Sequence, residues 1–464
     1  MLNRHGLKAS TFIKSAYTMI LKNAYKYIFP AVFCGLIGFS VPADAKSISD
    51  TVAKAVQTHP DIQAVHAAQK GLKGEVEEKY SGFFPVFGTE AHFGAKNVDS
   101  DNTRAAVGGD DSGYEGQASI RVSQMIYDGW NTSNSYKAAK HRYKAGGFEI
   151  KTRATNVAVG AIRAHLNVLK RRDMNAMTKK YIFDIKTYER SIDDLVEGGA
   201  ADESELLQAK AVRALAENSL LDFREQEAYA RAEYMQLVGE WPVAELTISD
   251  QDSDSKRFIP ADVPAAMDVV KKKHPMLFSA RETVDALKYE VKAQEGQIMP
   301  RVNAEVGYLQ KDQKEQFGGE LENASAMLRF SWNFETGGAQ KARVEKSLQE
   351  RQEAEMRARS IEREIERQLR QSYSKYNIAF ERLSLLEKRT ETNKGIFENY
   401  QVQYEGGKRS MLQLLNTRSQ YQQARVQYVD AYYDFYIAQF ELLGAMGILS
   451  DALDVGFMLA SQKE

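Results

Sequence analysis

The chain says the same thing twice. His59-Pro60 recurs as His274-Pro275 and Pro85 as Pro300, both 215 residues further on. Glu197-Gly198-Gly199 recurs as Glu405-Gly406-Gly407 and Leu207 as Leu415, both 208 further on. A unit of about 200 residues used twice constrains the architecture more than any local motif, because each copy must build the same parts in the same order. The first copy spans 46–239, a linker fills 240–263, the second copy spans 264–447, and 448–464 is a C-terminal tail.

Each copy opens with a helical stretch, about Ile48 to Tyr80 and about Ala265 to Gln297. His59 and His274, each before a proline, read as turn or cap residues; no second metal ligand stands near either. A period of two follows. Phe87, Thr89, Ala91, Phe93 and Ala95 alternate with Gly88, Glu90, His92 and Gly94, and Tyr114 to Val122 alternates likewise with Glu115 to Ser123. This is a β-hairpin over 86–126, with one apolar and one polar face. The second copy has its counterpart over 301–334, where Val302, Ala304, Val306 and Tyr308 alternate with Asn303, Glu305, Gly307 and Leu309. Its turn region is Lys311 to Asn323.

After each hairpin the pattern turns helical without proline, to about Val196 and to Tyr404. At ~1.5 Å per residue the first of these helices reaches about 100 Å. Glycine pairs end both. Gly198, Gly199, Gly406 and Gly407 are expected to supply positive φ at two tips, near 197–203 and 405–410, where the chain reverses. Helices then return from about Ser204 to Leu237 and from Met411 to about Met446.

The N-terminus carries Arg4, Lys8, Lys14, Lys22 and Lys26 without an acid, then an apolar run from Tyr27 to Val41 and Ala43-Asp44-Ala45. This is the pattern of a signal peptide over 1–45, cleaved after Ala45. The alternative, a membrane anchor, needs a longer run. The one cysteine, Cys34, falls inside the signal, so the mature chain needs no disulfide.

Tilted strands of about 9–11 residues cross an outer membrane. The apolar faces end in aromatics, Phe87, Tyr114, Tyr127, Tyr308, Trp332 and Phe334, where interfacial girdles belong. The polar faces hold Glu90, His92, Glu115, Arg121, Glu305 and Arg329, which belong in a water-filled lumen rather than in lipid. Four strands cannot close a barrel, and open edges are forbidden in hydrocarbon. Several chains must therefore combine; a dimer gives a filled barrel and three or more leave a channel.

These parts, in this order, resemble the TolC-like outer-membrane efflux proteins over essentially all of the mature chain. The segments that carry the resemblance are His59-Pro60, His274-Pro275, Gln124-Met125-Ile126-Tyr127-Asp128-Gly129, the stretch from Tyr404 to Asn416, and Gln439-Phe440-Glu441-Leu442-Leu443-Gly444. The resemblance implies a mainly α fold with a transmembrane β-barrel: a homotrimer whose twelve-stranded barrel in outer-membrane lipid continues into a periplasmic α-helical tunnel. It implies two partners, a periplasmic adaptor (membrane fusion) protein and an inner-membrane ABC transporter or proton-driven pump. The Gln124 to Gly129 segment resembles the branch that serves type I protein secretion; multidrug efflux is the alternative. The family also implies a periplasmic gate, with Tyr404 and Arg409 on one side of its constricting links and Ser204 and Glu205 on the other. Where the family often carries an acidic ring this chain has Gln413 and Asn416, with Asp202 and Glu203 as substitute carboxylates at the entrance. The glycine tips are expected to be where the implied adaptor docks.

No phosphate loop, nucleophile elbow, zinc helix or catalytic cysteine occurs, so no enzyme, metal site or cofactor is expected. The Asp99–Asp111 and Asp250–Asp254 runs lack the glycine and glutamate of a calcium loop and read as solvated acidic loops. A net charge of −1 offers no field to nucleic acid. A periplasmic coiled-coil structural or adaptor protein is the remaining reading; it accounts for the helices but not for the strands.

Overall fold

The computed structural model describes residues 45–455 apart from 100, 102–103, 106–110 and 314–318. The expected signal peptide lies outside the described residues except for Ala45, as do much of the 97–113 loop and the end of the tail. Two halves follow one element order. The first has α1 (Ile48–Thr58), α2 (Pro60–Ser81), β1 (Val86–Val98), β2 (Asp111–Tyr127), α3 (Asn131–Glu197) and α4 (Glu203–Val238). A short helix α5 (Asp250–Asp254) and a 3-10 turn (Ser255–Phe258) intervene. The second half has α6 (Val263–Lys273), α7 (Pro275–Gly296), β3 (Arg301–Gln313), β4 (Gly319–Ser331), α8 (Ala339–Glu405) and α9 (Met411–Ala445), followed by α10 (Leu449–Leu453).

The opening stretch of each half is two helices, not one. His59 and His274 take extended dihedrals (φ −65°, ψ 127° and φ −69°, ψ 117°) because the following proline excludes the helical region for the residue before it. Proline then occupies the first helical position, where its missing N–H costs nothing. The His59 ring caps α2 by accepting from the Asp61 N–H at 3.2 Å. His274 makes no cap bond; its ring packs where the Gly447 turn passes, and a Cβ on Gly447 would stand 2.9 Å from the His274 Cα.

The run expected to be a solvated acidic loop at Asp250–Asp254 is instead helical, and Asp252 is fully buried. Its carboxylate accepts from the backbone N–H groups of Ser249 and Ile48 and from the Ser49 hydroxyl, so the acid caps two helices. The linker is likewise docked: Lys46 pairs with Leu246 in a parallel bridge, and the Tyr373 hydroxyl donates to the Pro260 carbonyl at 3.0 Å.

α3 is buried along two stripes rich in small residues, among them Ala154, Ala158, Ala161 and Ala164, which let neighbouring helices approach closely. The main core joins α1, α3, α6, α8, α9 and α10 around Ile48, Ile162, Leu166, Leu369, Phe440 and Leu453. α8 differs: of its 67 residues, Ser347, Ile365 and Leu369 are buried, while Ile378, Phe380, Leu385 and Val402 are exposed.

Within this core His165 is fully buried. Its Nε2–H donates to the Thr247 carbonyl (3.2 Å), and Nδ1 accepts from the Thr51 hydroxyl (2.8 Å), linking α3 to α1 and the linker. Burial pulls its pKa down from 6.5 to about 4. The unfolded chain therefore takes up a proton in that interval that the folded chain refuses. The stability carried by the neutral ring is complete above pH 6.5 and is lost as pH falls toward 4, by roughly 3 kcal/mol. The melting temperature is expected to drop across this window, and His165→Gln to flatten the drop; equal slopes in thermal melts of the two proteins would contradict this.

Candidate functional site

The four strands form one antiparallel sheet in the order β1-β2-β3-β4. Its register aligns the two faces across all strands. Glu90 stands opposite Ser119, Arg121 opposite both Gly88 and Gly307, Ser123 opposite Glu305, and Asn303 opposite Arg329, so the polar sets share one side. Phe87 opposite Val122, Ile120 opposite Tyr308, and Val302 opposite Phe330 make the other. That apolar side has no cover among the described residues: Phe87, Phe93, Leu328 and Phe330 are 64–78% exposed. A bare aromatic and aliphatic sheet face of this size demands a non-aqueous neighbour.

The strands are longer than the 9–11 residues expected, at 13, 17, 13 and 13. Pairing continues past the apolar band into polar ends such as Asp312 opposite Glu320. The turn expected over Lys311–Asn323 is correspondingly shorter, because β3 runs to Gln313 and β4 resumes at Gly319. Strict alternation would put Tyr127 on the polar side. A bulge at Ile126 shifts it opposite Val302, onto the apolar side. Trp332 and Phe334 lie just beyond β4, their rings tilted at 42° with centroids 4.5 Å apart.

On the polar side two clusters of charges are paired. Glu115 receives Lys311 (3.2 Å), Lys96 (3.4 Å) and His92 (3.1 Å). Glu305 is gripped by Arg329 through Nε at 2.8 Å and Nη2 at 3.0 Å.

The strand-to-helix corner explains the Gln124 to Gly129 segment. Asp128 is buried and its carboxylate accepts from the Thr132 N–H (2.8 Å) and hydroxyl (2.6 Å), capping α3. Gly129 has φ +71°, and a Cβ there would lie 2.2 Å from the Gly296 carbonyl oxygen. Trp130 follows at φ +66°, where the second half uses Gly338 at φ +73°.

The two tips are built alike. Ala200 N–H bonds to the Leu195 carbonyl and Gly199 N–H to that of Val196; Lys408 N–H bonds to Gln403 and Gly407 N–H to Tyr404. Each is a Schellman turn. One glycine of each pair carries the left-handed conformation, Gly199 (φ +70°) and Gly407 (φ +72°). Gly198 and Gly406 are right-handed caps, φ −79° and −84°, contrary to the expectation for all four, because the motif needs a single left-handed residue.

Both tips meet in one cluster of Ile185, Ile192, Leu206, Met411, Leu414 and Leu415, against which Tyr404 packs. Asp202 is the N-cap of α4, followed by Glu203, Ser204 and Glu205; Gln413 and Asn416 are exposed on the first turns of α9. Arg409 is not brought to Glu205. It stays on its own hairpin, donating from Nε to Gln403 at 2.9 Å and lying 4.6 Å over the Tyr400 ring.

Sequence reasoning missed Arg418, which is 3% exposed beside this cluster. Its Nη2 and Nε reach Asp184 of α3 at 2.7 and 3.2 Å, and its guanidinium lies among Tyr181, Phe397 and Tyr421 at 5.0–5.6 Å. The signal was available: Arg418 falls on the buried stripe Met411, Leu414, Leu415, Gln422, where a charge implies a buried partner.

A sheet with one water-seeking and one bare apolar face, running into helices of 67 residues, is the make-up of a protein that inserts its strands into a membrane. The chain belongs to the outer membrane efflux protein family, whose sequence model matches residues 51–240 and 267–448. It is a protein of the Gram-negative outer membrane, extending into the periplasm. It is 24% identical to the outer membrane efflux protein BepC of Brucella suis over 355 residues, 75% of each chain. It is 22% identical to the alkaline protease secretion protein AprF of Pseudomonas aeruginosa over 372 residues, 76% of this chain and 75% of that one. The fold superposes on crystal structures of CusC with a TM-score of 0.75 at 13% identity, covering 91% of this chain and 98% of that one.

Proposed function

We propose that three copies close their sheets into a twelve-stranded barrel, and that their helices continue it as a passive exit duct through the periplasm. The observation that carries this is the sheet itself: its apolar face is bare and, among the described residues, both edge strands, β1 and β4, lack a partner. The sparsely buried α8, with its exposed Ile378, Phe380 and Leu385, supports helix packing between chains. Energy comes from an inner-membrane transporter, coupled by a periplasmic adaptor that reads the glycine tips.

The cargo reading we favour is a large secreted protein, supported by the Gln124 to Gly129 segment and by the likeness to AprF. Drug efflux is the second reading, favoured by the likeness to BepC. Deleting the gene separates them. Loss of a protein from the medium supports secretion; intact secretion with raised dye and detergent sensitivity supports efflux.

In this duct the tips are the periplasmic gate. Arg409 and Tyr404 face Ser204 and Glu205 across neighbouring helix pairs, with Gln413 and Asn416 as a neutral ring and Asp202 and Glu203 as entrance carboxylates. An exposed pair contributes only about 0–1 kcal/mol, but three copies act together on a two-state equilibrium. Arg409→Glu is expected to raise single-channel conductance, and Glu205→Arg added to it to lower it again. Unchanged conductance in normally assembled Arg409→Glu would remove the assignment.

A further inference from the structure

We infer, on the strength of the duct reading, that the bore of the sheet favours anions, that Arg121 is its central determinant, and that anionic solutes and acidic cargo segments pass most readily. Arg121 sits midway along β2 on the polar face. The residues directly opposite it on both neighbouring strands are glycines, Gly88 and Gly307. A Cβ on Gly88 would meet nothing within 4 Å, so the position opposite Arg121 on β1 is open space. Arg121 enters no ion pair among the described residues, Glu90 one step along the same face included, and the Glu305 and Glu115 carboxylates of that face have partners of their own. Glu305 is held by Arg329, and Glu115 by Lys96, Lys311 and His92.

The rest of the ledger runs the same way. Besides those clusters, the polar rows of the strands carry Arg121 and Arg301 against Glu90 and Asp111, and the Glu115 cluster holds two lysines to one acid. Among the described residues each chain thus lends the bore an excess of one cation. Threefold repetition gathers these on the wall of one narrow pore, where low-dielectric walls focus the field. Arginine keeps its charge at every working pH, and rings of arginine are an ordinary device for admitting anions. Asp202 and Glu203 lie at the far end of helices about 100 Å long, many screening lengths of about 10 Å away. They do not cancel the field in the bore.

The test is the reversal potential of the purified full-length protein in planar bilayers under a potassium chloride gradient. The wild type is expected to pass chloride over potassium. Arg121→Glu is expected to lower the chloride-to-potassium permeability ratio by roughly sevenfold, the effect of a local potential change on the order of one kT acting in opposite directions on the two ions. Arg121→Lys is expected to retain the ratio, and Arg121→Gln, which adds no like-charge repulsion near Glu90, to fall between. A potassium-preferring wild type, or an unchanged ratio in Arg121→Glu or Arg121→Gln protein that assembles normally, overturns the inference while leaving the duct intact. A preparation that inserts and forms no pore overturns the duct reading itself, and the anion bore with it.

Discussion

Gly129→Ala is expected to leave little or no assembled protein in the outer membrane, whereas Gly337→Ala is expected to assemble normally. Two costs coincide at Gly129. Its φ of +71° is left-handed, and the added Cβ would sit 2.2 Å from the Gly296 carbonyl oxygen and 2.6 Å from the Met299 Cβ. The first costs about 1–2 kcal/mol and the second, because backbone cannot step aside, about 1–3 kcal/mol more. The Gly296 side is equally tight, with a Cβ there 2.5 Å from the Gly129 carbonyl oxygen. The corner where β2 becomes α3 therefore locks against the end of α7, and the sheet's attachment to the helices depends on it. Gly337, the repeat counterpart, meets nothing within 4 Å and has no positive φ. The amount of detergent-extracted, heat-modifiable protein measures the contrast; equal yields would contradict the lock.

Arg418→Ala is expected to destabilise the tip end by about 3 kcal/mol, the low end for breaking a buried ion pair because Asp184 remains a quarter exposed. The substitution strands the Asp184 carboxylate and empties a box of three aromatic rings that joins α3, α8 and α9. Opening is expected near the tips rather than at the sheet. Hydrogen exchange should speed over 181–192 and 411–422 while the strands keep their protection. Arg418→Met, which fills the box without charge, combined with Asp184→Asn should recover most of the loss. Unchanged exchange at the tips would mean that the pair contributes nothing there.

The element order, the alternation on the strands and the glycine tips were legible in the sequence, because each is a local signal with its own period. The face assignment agrees with the register over the middle of the hairpin: Gly88, Glu90, His92 and Gly94 pair with Arg121, Ser119, Gln117 and Glu115, whereas Ser123 meets Val86 at the strand end. Other features depend on what stands opposite in space. The bulge at Ile126, which returns Tyr127 to the apolar side, is set by pairing with β3. The burial of Asp252 depends on the N-terminus of α1, and that of Arg418 on a carboxylate 234 residues earlier in the chain. Trp130 holds a left-handed conformation that its side chain disfavours, where a repeat of the second copy would have put glycine. The helix breaks at His59 and His274 were within reach, since the following prolines alone require them. Arg409 and Glu205 belong to different hairpins and remain apart within one chain, so the sequence could not show whether they meet.

The mass of the folded, detergent-purified protein tests the central claim most directly. The account predicts three chains per particle, with the strands of all three protected from exchange. A folded particle of one chain with all four strands protected would contradict it, because β1 and β4 would then have closed a membrane sheet without a neighbour.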